Sequence, residues 1–268
     1  MSAEEQKEEK ESLIEKIVQS QIWKSMMRHG FPNTRRNRVL AVSSNVFLHL
    51  HPITIRKSGV RLSYTWGMGG ITFYFFMIEV ITGILLMFYY RPTAAAAYND
   101  ILALREHVTL GIFREMHRWG AHAMVLAVWL HMLRVFLTGA YKPPREFNWA
   151  IGVILLTLTL FLSFTGYLLP WDQLAIWAVS VGTNMAGAAP FIGAEGPGSS
   201  FLKIGDIHLI HSGSDMRFAL LGGRFVGEAT LLRFYVLHCV AVPFIAVLLM
   251  SVHFWRVRKD GGISSPVN

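Results

Sequence analysis

Cysteine is almost absent from this chain. Its 268 residues contain one, Cys239, which excludes an intrachain disulfide framework and a cysteine-only zinc or iron–sulfur site. No C-x-x-C-H stretch occurs, so covalent c-type haem attachment of the usual kind has no anchor. Charge is sparse too: 16% of residues are Asp, Glu, Lys or Arg, against 53% hydrophobic. With a mean hydropathy of +0.39, this excludes an ordinary soluble domain and points to a membrane protein. The net charge of +8 then reads as basic cytoplasmic flanks and membrane-lipid contact, with no nucleic-acid partner. Residues 1–16 (MSAEEQKEEKESLIEK) lack an apolar core, so no cleavable signal is expected. Strand-like alternation is missing, and an all-α fold is expected.

What is present is a set of four apolar segments, each near the roughly 20 residues that cross a bilayer. Segment A runs about Trp66–Tyr90, with Glu79 as its only charge. Segment B runs about Trp119–Thr138, C about Trp149–Leu169 and D about Phe234–Trp255. A membrane four-helix bundle over residues 66–258 is expected. It is preceded by a cytoplasmic or interfacial region, 1–65, and followed by a tail, 259–268. The C–D connection, about 171–230, is rich in Gly, Ala, Pro and Ser and long enough to carry short helices of its own. Leu13, Ile14, Ile17, Val18, Ile22 and Trp23 suit either an amphipathic helix on the membrane surface or a partner, or a solvated tail. Lys142, Arg145, Arg256, Arg258 and Lys259 put the B–C loop and both termini on the cytoplasmic side.

The histidines carry the chemistry. His117, two residues ahead of segment B, and His131 within it are fourteen apart. On a helix that is about 21 Å of rise and a return to within about 40° of the starting direction. His238 and His253 in segment D are fifteen apart, about 22 Å and about 60°. Segments B and D run the same way through the membrane, so His117 is level with His238, and His131 with His253. Two buried imidazoles at one depth are a standard axial pair for haem iron, leaving no open position. Two haem b groups are expected, held as His117/His238 and His131/His253. Segments A and C provide no ligand but carry glycines at the same fourteen-residue step: Gly69 and Gly83, Gly152 and Gly166. Glycine lets a helix backbone approach a flat macrocycle closely, although such spacing also serves ordinary membrane helix packing.

Anionic propionates need cations near the interfaces. Arg114 and Arg118 flank His117, Arg134 follows His131, and Arg233 precedes His238. Each suits that role, or that of a snorkelling interfacial arginine. His122 lies about 140° round the helix from His117 and should face away from it. The loop pair His208 and His211 is weak evidence for a metal. Glu79, alone at mid-membrane, reads either as a proton-exchanging group for a quinone or as a neutral packing residue.

These residues resemble the N-terminal half of cytochrome b, and most closely the cytochrome b6 type. The matching stretches are 69–93, 114–149 (REMHRWGAHAMVLAVWLHMLRVFLTGAYKPPREFNW), 164–173 (FTGYLLPWDQ) and 230–264. The fifteen-residue step in segment D looks like the b6 type. The resemblance implies a subunit of a Rieske-type quinol:cytochrome c or plastocyanin oxidoreductase, inactive alone. Its expected partners are a Rieske iron–sulfur protein, a c-type cytochrome and a second copy in a dimeric complex in a bacterial inner membrane. One quinol electron would go to the Rieske centre and the other across the membrane through the b haems. It further implies a low-potential haem at His117/His238 and a high-potential one at His131/His253. Tyr167, Pro170 and Trp171 would line the quinol-oxidation site.

There are departures. The PEWY-type motif of the family's second half does not occur, so a separate subunit is expected to supply it. Gly67, in TWGMGG, stands where the b6 type carries the cysteine for an extra covalent haem, which argues against that haem and leaves a non-covalent one open. The stretch around 195–225 is unlike typical members and is expected to meet a partner. The alternative is a b-haem membrane anchor subunit of a dehydrogenase or hydrogenase.

Overall fold

The computed structural model describes residues 16–17, 19–27, 34–43, 57–205 and 207–264. The helices are α1 (Gln21–Met27), α2 (Arg35–Ser43), α3 (Leu62–Thr65), α4 (Met68–Met87), α5 (Ala97–Glu106), α6 (Val108–Leu137), α7 (Glu146–Leu168), α8 (Gln173–Gly187), α9 (Met216–Leu221), α10 (Glu228–Val236) and α11 (Val242–Asp260). Four are long and apolar enough to cross a membrane: α4, α6, α7 and the run Glu228–Asp260. These are segments A to D. Segment B starts at Val108, eleven residues earlier than its hydropathy suggests, because Arg114, Glu115 and Arg118 mask an otherwise continuous helix. His117 therefore lies inside it.

The segment D run is not a uniform α-helix. Leu237–Ala241 forms a π turn between α10 and α11. Its cause is Pro243, which has no N–H for the carbonyl four residues back and clashes with it. A π turn absorbs one extra residue, and the step between the two histidines of this segment has one residue more than that in α6.

The C–D connection holds two helices with capped starts. Asp172 accepts from Ala175 N at 2.8 Å at the head of α8. Asp215 accepts from Phe218 N at 2.8 Å at the head of α9, and from Ala194 N at 3.2 Å. A two-residue antiparallel pair, β1 (Lys203–Ile204) with β2 (Ile207–His208), is the small exception to the helices among the described residues.

The chain divides into two compact units. The first comprises the described residues within 1–69, 128–156 and 247–268. Its centre is Arg256, fully buried, bonded to Asp260 Oδ2 at 2.8 Å one turn on. The guanidinium lies over the Phe147 ring and donates to the Ser25 carbonyl at 2.5 Å. Ser25 Oγ accepts from Phe147 N, and Gln21 Nε2 donates to Glu146 Oε1 at 2.7 Å. So α1 is tied to the start of α7 and the end of α11 by polar contacts. Ile22 is 73% exposed, and packing does not run through it. Leu13, Ile14 and Val18 lie outside the described residues. Asp260→Ala takes the carboxylate from a buried guanidinium, a change that costs about 3–5 kcal/mol. A clearly lower melting temperature of the detergent-purified protein is the expected result, and an unchanged one would count against this account of α1.

The second unit comprises residues 70–127 and 157–246. Leu168, Ala175, Val179 and Phe234 form one core, and Tyr90, Ala97 and Leu231 another. Tyr90 OH donates to the Leu169 carbonyl at 2.6 Å, and its ring stacks on Tyr235. Arg91 donates to the Asp100 carboxylate from Nε, Nη2 and its backbone N–H, at 3.0, 2.5 and 2.9 Å. The side-chain bond from Arg91 holds the Asp100 carboxyl below its ordinary value. A carboxyl depressed in the folded state stabilises above its unfolded pKa and loses that contribution as pH falls through the folded one. Amide protection across 91–100 should therefore persist down to about pH 4 and be lost only below it. Asp100→Asn should remove it at neutral pH, and equal hydrogen exchange in the two proteins would contradict this clamp.

Candidate haem-binding histidine pairs

In the second unit, the His117 and His238 rings face each other edge-on. Their centroids are 6.1 Å apart and their planes meet at 85°. The Nδ1 of each is held by a threonine of a helix that carries no histidine of the pair. Thr82 Oγ1 stands 2.9 Å from His117 Nδ1 and donates its one proton to the Ile78 carbonyl at 2.6 Å. Thr165 Oγ1 stands 3.1 Å from His238 Nδ1 and donates to the Leu162 carbonyl at 3.1 Å. A hydroxyl has one proton. With it spent on a carbonyl, each threonine must accept from Nδ1–H, which leaves Nε2 with a bare lone pair, the tautomer a metal ligand needs. Both threonines are buried, 2% and 0% exposed.

Sequence reasoning missed these threonines. The signal was there: each immediately precedes a glycine already singled out, Thr82–Gly83 and Thr165–Gly166. A Cβ on Gly83 would meet His117 Cε1 at 3.2 Å, and one on Gly166 would meet His238 Cε1 at 2.6 Å. The glycines thus admit the histidine rings themselves.

In the first unit, His131 and His253 repeat the arrangement, with centroids 6.4 Å apart and planes at 83°. A Cβ on Gly69 would lie 3.5 Å from His131 Cε1, and one on Gly152 3.8 Å from His253 Cε1. No described hydroxyl or carboxyl side chain bonds to either imidazole.

The four arginines are each engaged by neighbours. Arg114 and Arg118 bond to Glu115, at 2.6 and 2.5 Å. Arg134 donates to the Tyr64 carbonyl at 2.5 Å and lies over the Tyr64 and Trp66 rings. Arg233 donates to the Ala229 carbonyl at 3.2 Å and packs on Gly222. His122 Nδ1 bonds to the Arg118 carbonyl of its own helix at 2.6 Å. His208 is exposed, and His211 Nδ1 accepts from Gly213 N. No cluster of three or more potential metal ligands occurs among the described residues.

Of the three residues expected at a quinol site, Trp171 lines an open cleft of about 480 Å³ with Tyr98, Asp172, Gln173 and Leu174. Trp171 takes a left-handed φ of 52° at the turn into α8. Tyr167 and Pro170 are not part of that lining. Tyr98, from the A–B connection, is a residue the sequence did not single out.

The fold and these pairs define a class: an integral membrane protein with histidine pairs set between apolar helices. Residues 54–196 match a family model described as "Cytochrome b/b6/petB", and residues 209–268 one described as "Cytochrome b(N-terminal)/b6/petB". The chain belongs to the cytochrome b/b6 family. Cytochrome b6 of Gracilaria tenuistipitata var. liui is 42% identical over 216 residues, 80% of this chain and 91% of the relative. Cytochrome b6 of Heliomicrobium gestii is 39% identical over 201 residues, 75% and 84%. A solved chain of a "Hyperthermophilic respiratory Complex III" aligns with a TM-score of 0.61 at 25% identity, covering 85% of this chain. This chain spans 54% of that one's length. Residues 197–208 fall between the two matched stretches, within the stretch that the sequence marks as atypical.

Proposed function

We propose that this chain is the di-haem subunit of a Rieske-type quinol-oxidising complex, with His117/His238 and His131/His253 as axial ligands. The observation that carries the reading is the matched geometry of the pairs. Two iron–nitrogen bonds of about 2 Å, each with about 1 Å more to the ring centre, span about 6 Å. The separations of 6.1 and 6.4 Å suit that group without backbone movement. When bound, the two haems would supply six-coordinate iron that passes single electrons and does not take up oxygen.

The chain's own residues do the rest. Thr82 and Thr165 hold Nδ1–H and so aim Nε2 inward. Gly83 and Gly166 let the histidine rings sit close to the helix backbones, while Gly69 and Gly152 stand at ordinary contact distance from theirs. Arg114, Arg118 and Arg233 near the first pair, and Arg134 near the second, supply cations for propionates. Trp171, with Tyr167 and Pro170 nearby in the chain, forms one wall of a quinol site completed by a separate subunit. Both termini lie on the cytoplasmic side, in keeping with the basic B–C loop.

Purification of the intact complex tests this reading. A co-purifying Rieske centre and quinol-dependent reduction of a c-type cytochrome or plastocyanin are expected. A co-purifying dehydrogenase or hydrogenase subunit, with no Rieske protein, would replace the reading with that of an anchor subunit.

A further inference from the structure

Glu79 belongs to neither histidine pair yet reaches one of them. Its Oε2 stands 3.1 Å from His117 Nδ1, with the side chain 15% exposed. The Thr82 hydroxyl approaches the same nitrogen from one turn further along α4. Oε1 makes no hydrogen bond among the described residues. It occupies the space a Cβ on Gly120 would fill, so the missing side chain there makes room for the carboxyl group. The two pairs are therefore chemically unlike. His117 and His238 have two hydroxyls and a carboxyl on their outer nitrogens, and His131 and His253 have none from any described side chain.

A carboxyl group on the outer N–H of a metal-ligating histidine fixes the ring and raises the basicity of the ligating nitrogen. A more electron-donating ligand favours the oxidised iron. We infer that Glu79 is a positioning residue for the iron site at His117: as a second acceptor sharing Nδ1–H with Thr82 Oγ1, it lowers the reduction potential of the iron held there below that of a pair without a carboxyl group at its outer nitrogens. The inference rests on the haem reading above and adds a cause that acts on one site alone.

Potentiometric titration of the purified complex tests it. In Glu79→Gln, one b haem should show about a tenfold higher ratio of reduced to oxidised form at fixed ambient potential, or about 59 mV for a one-electron couple. The other haem should not move, and haem content should stay at the wild-type level. A packing role alone would change haem content and leave the midpoint in place. Two retained haems with unshifted midpoints would overturn the inference and leave the haem reading intact. A wild-type complex without b haem would overturn both. If Glu79→Gln does not hold its haem, Glu79→Asp, which keeps the acid but withdraws it from His117, is titrated in the same way. An unshifted midpoint in that variant equally overturns the inference.

Discussion

Leucine in place of His253 is expected to remove one of two b haems from the complex and leave the other in place. His253 and His131 are the only imidazoles of the first unit's pair, and their rings stand 6.4 Å apart. Leucine keeps the helix apolar and similar in bulk but supplies no nitrogen. The iron would lose one of its two axial imidazole bonds. Haem per chain should fall by half, with the low-spin signal of the remaining haem unchanged. His238→Leu should do the same to the other signal. A variant that keeps both signals would show that the paired histidines are not the ligands.

The second large effect is graded by distance. Gly166→Ala puts a Cβ 2.6 Å from His238 Cε1, closer than carbon atoms approach, so the ring or the helix must shift. That should displace the imidazole from Thr165 and strip most of the haem from the site. Gly83→Ala, at 3.2 Å from His117 Cε1, should be milder. Gly69→Ala and Gly152→Ala, at 3.5 and 3.8 Å from their histidines, reach ordinary contact and should keep both haems. The four variants are compared by haem content and low-spin spectrum. Equal losses at all four positions, or loss at Gly69 with none at Gly166, would contradict the order.

Not all of these features are equally plain in the sequence. The long helices were legible because about 20 apolar residues have few alternatives. The start of α6 was not, because Arg114, Glu115 and Arg118 make its first turns look like a loop to a hydropathy reading. The histidine pairs and their glycines were legible because fourteen residues bring a helix nearly back to one face. The fifteen-residue step in segment D was read as a b6-type feature, and the proline-linked π turn gives its physical account. Thr82 and Thr165 stayed hidden because a threonine in an apolar helix usually bonds to its own helix carbonyl. Both do that here, and the proton they spend there is what makes them acceptors for histidine. The arginines were singled out as cations for propionates, and the neighbours the structure gives them, Glu115 and the Tyr64 and Ala229 carbonyls, were not foreseeable. Arg256 is the sharpest case: counted as an interfacial positive charge, it is fully buried between Asp260 and the Ser25 carbonyl. Glu79 had two open readings, and its approach to His117 depends on Gly120, forty-one residues away in sequence.

One chain of this protein is expected to hold two haem b groups, each between two histidines. Quantitative haem extraction with electron paramagnetic resonance on the purified complex tests it most directly. Two low-spin six-coordinate signals per chain, extractable without breaking a covalent bond and unreactive to carbon monoxide, are the predicted result. Fewer than two such signals, or carbon monoxide binding that reveals an open position at either iron, would contradict it.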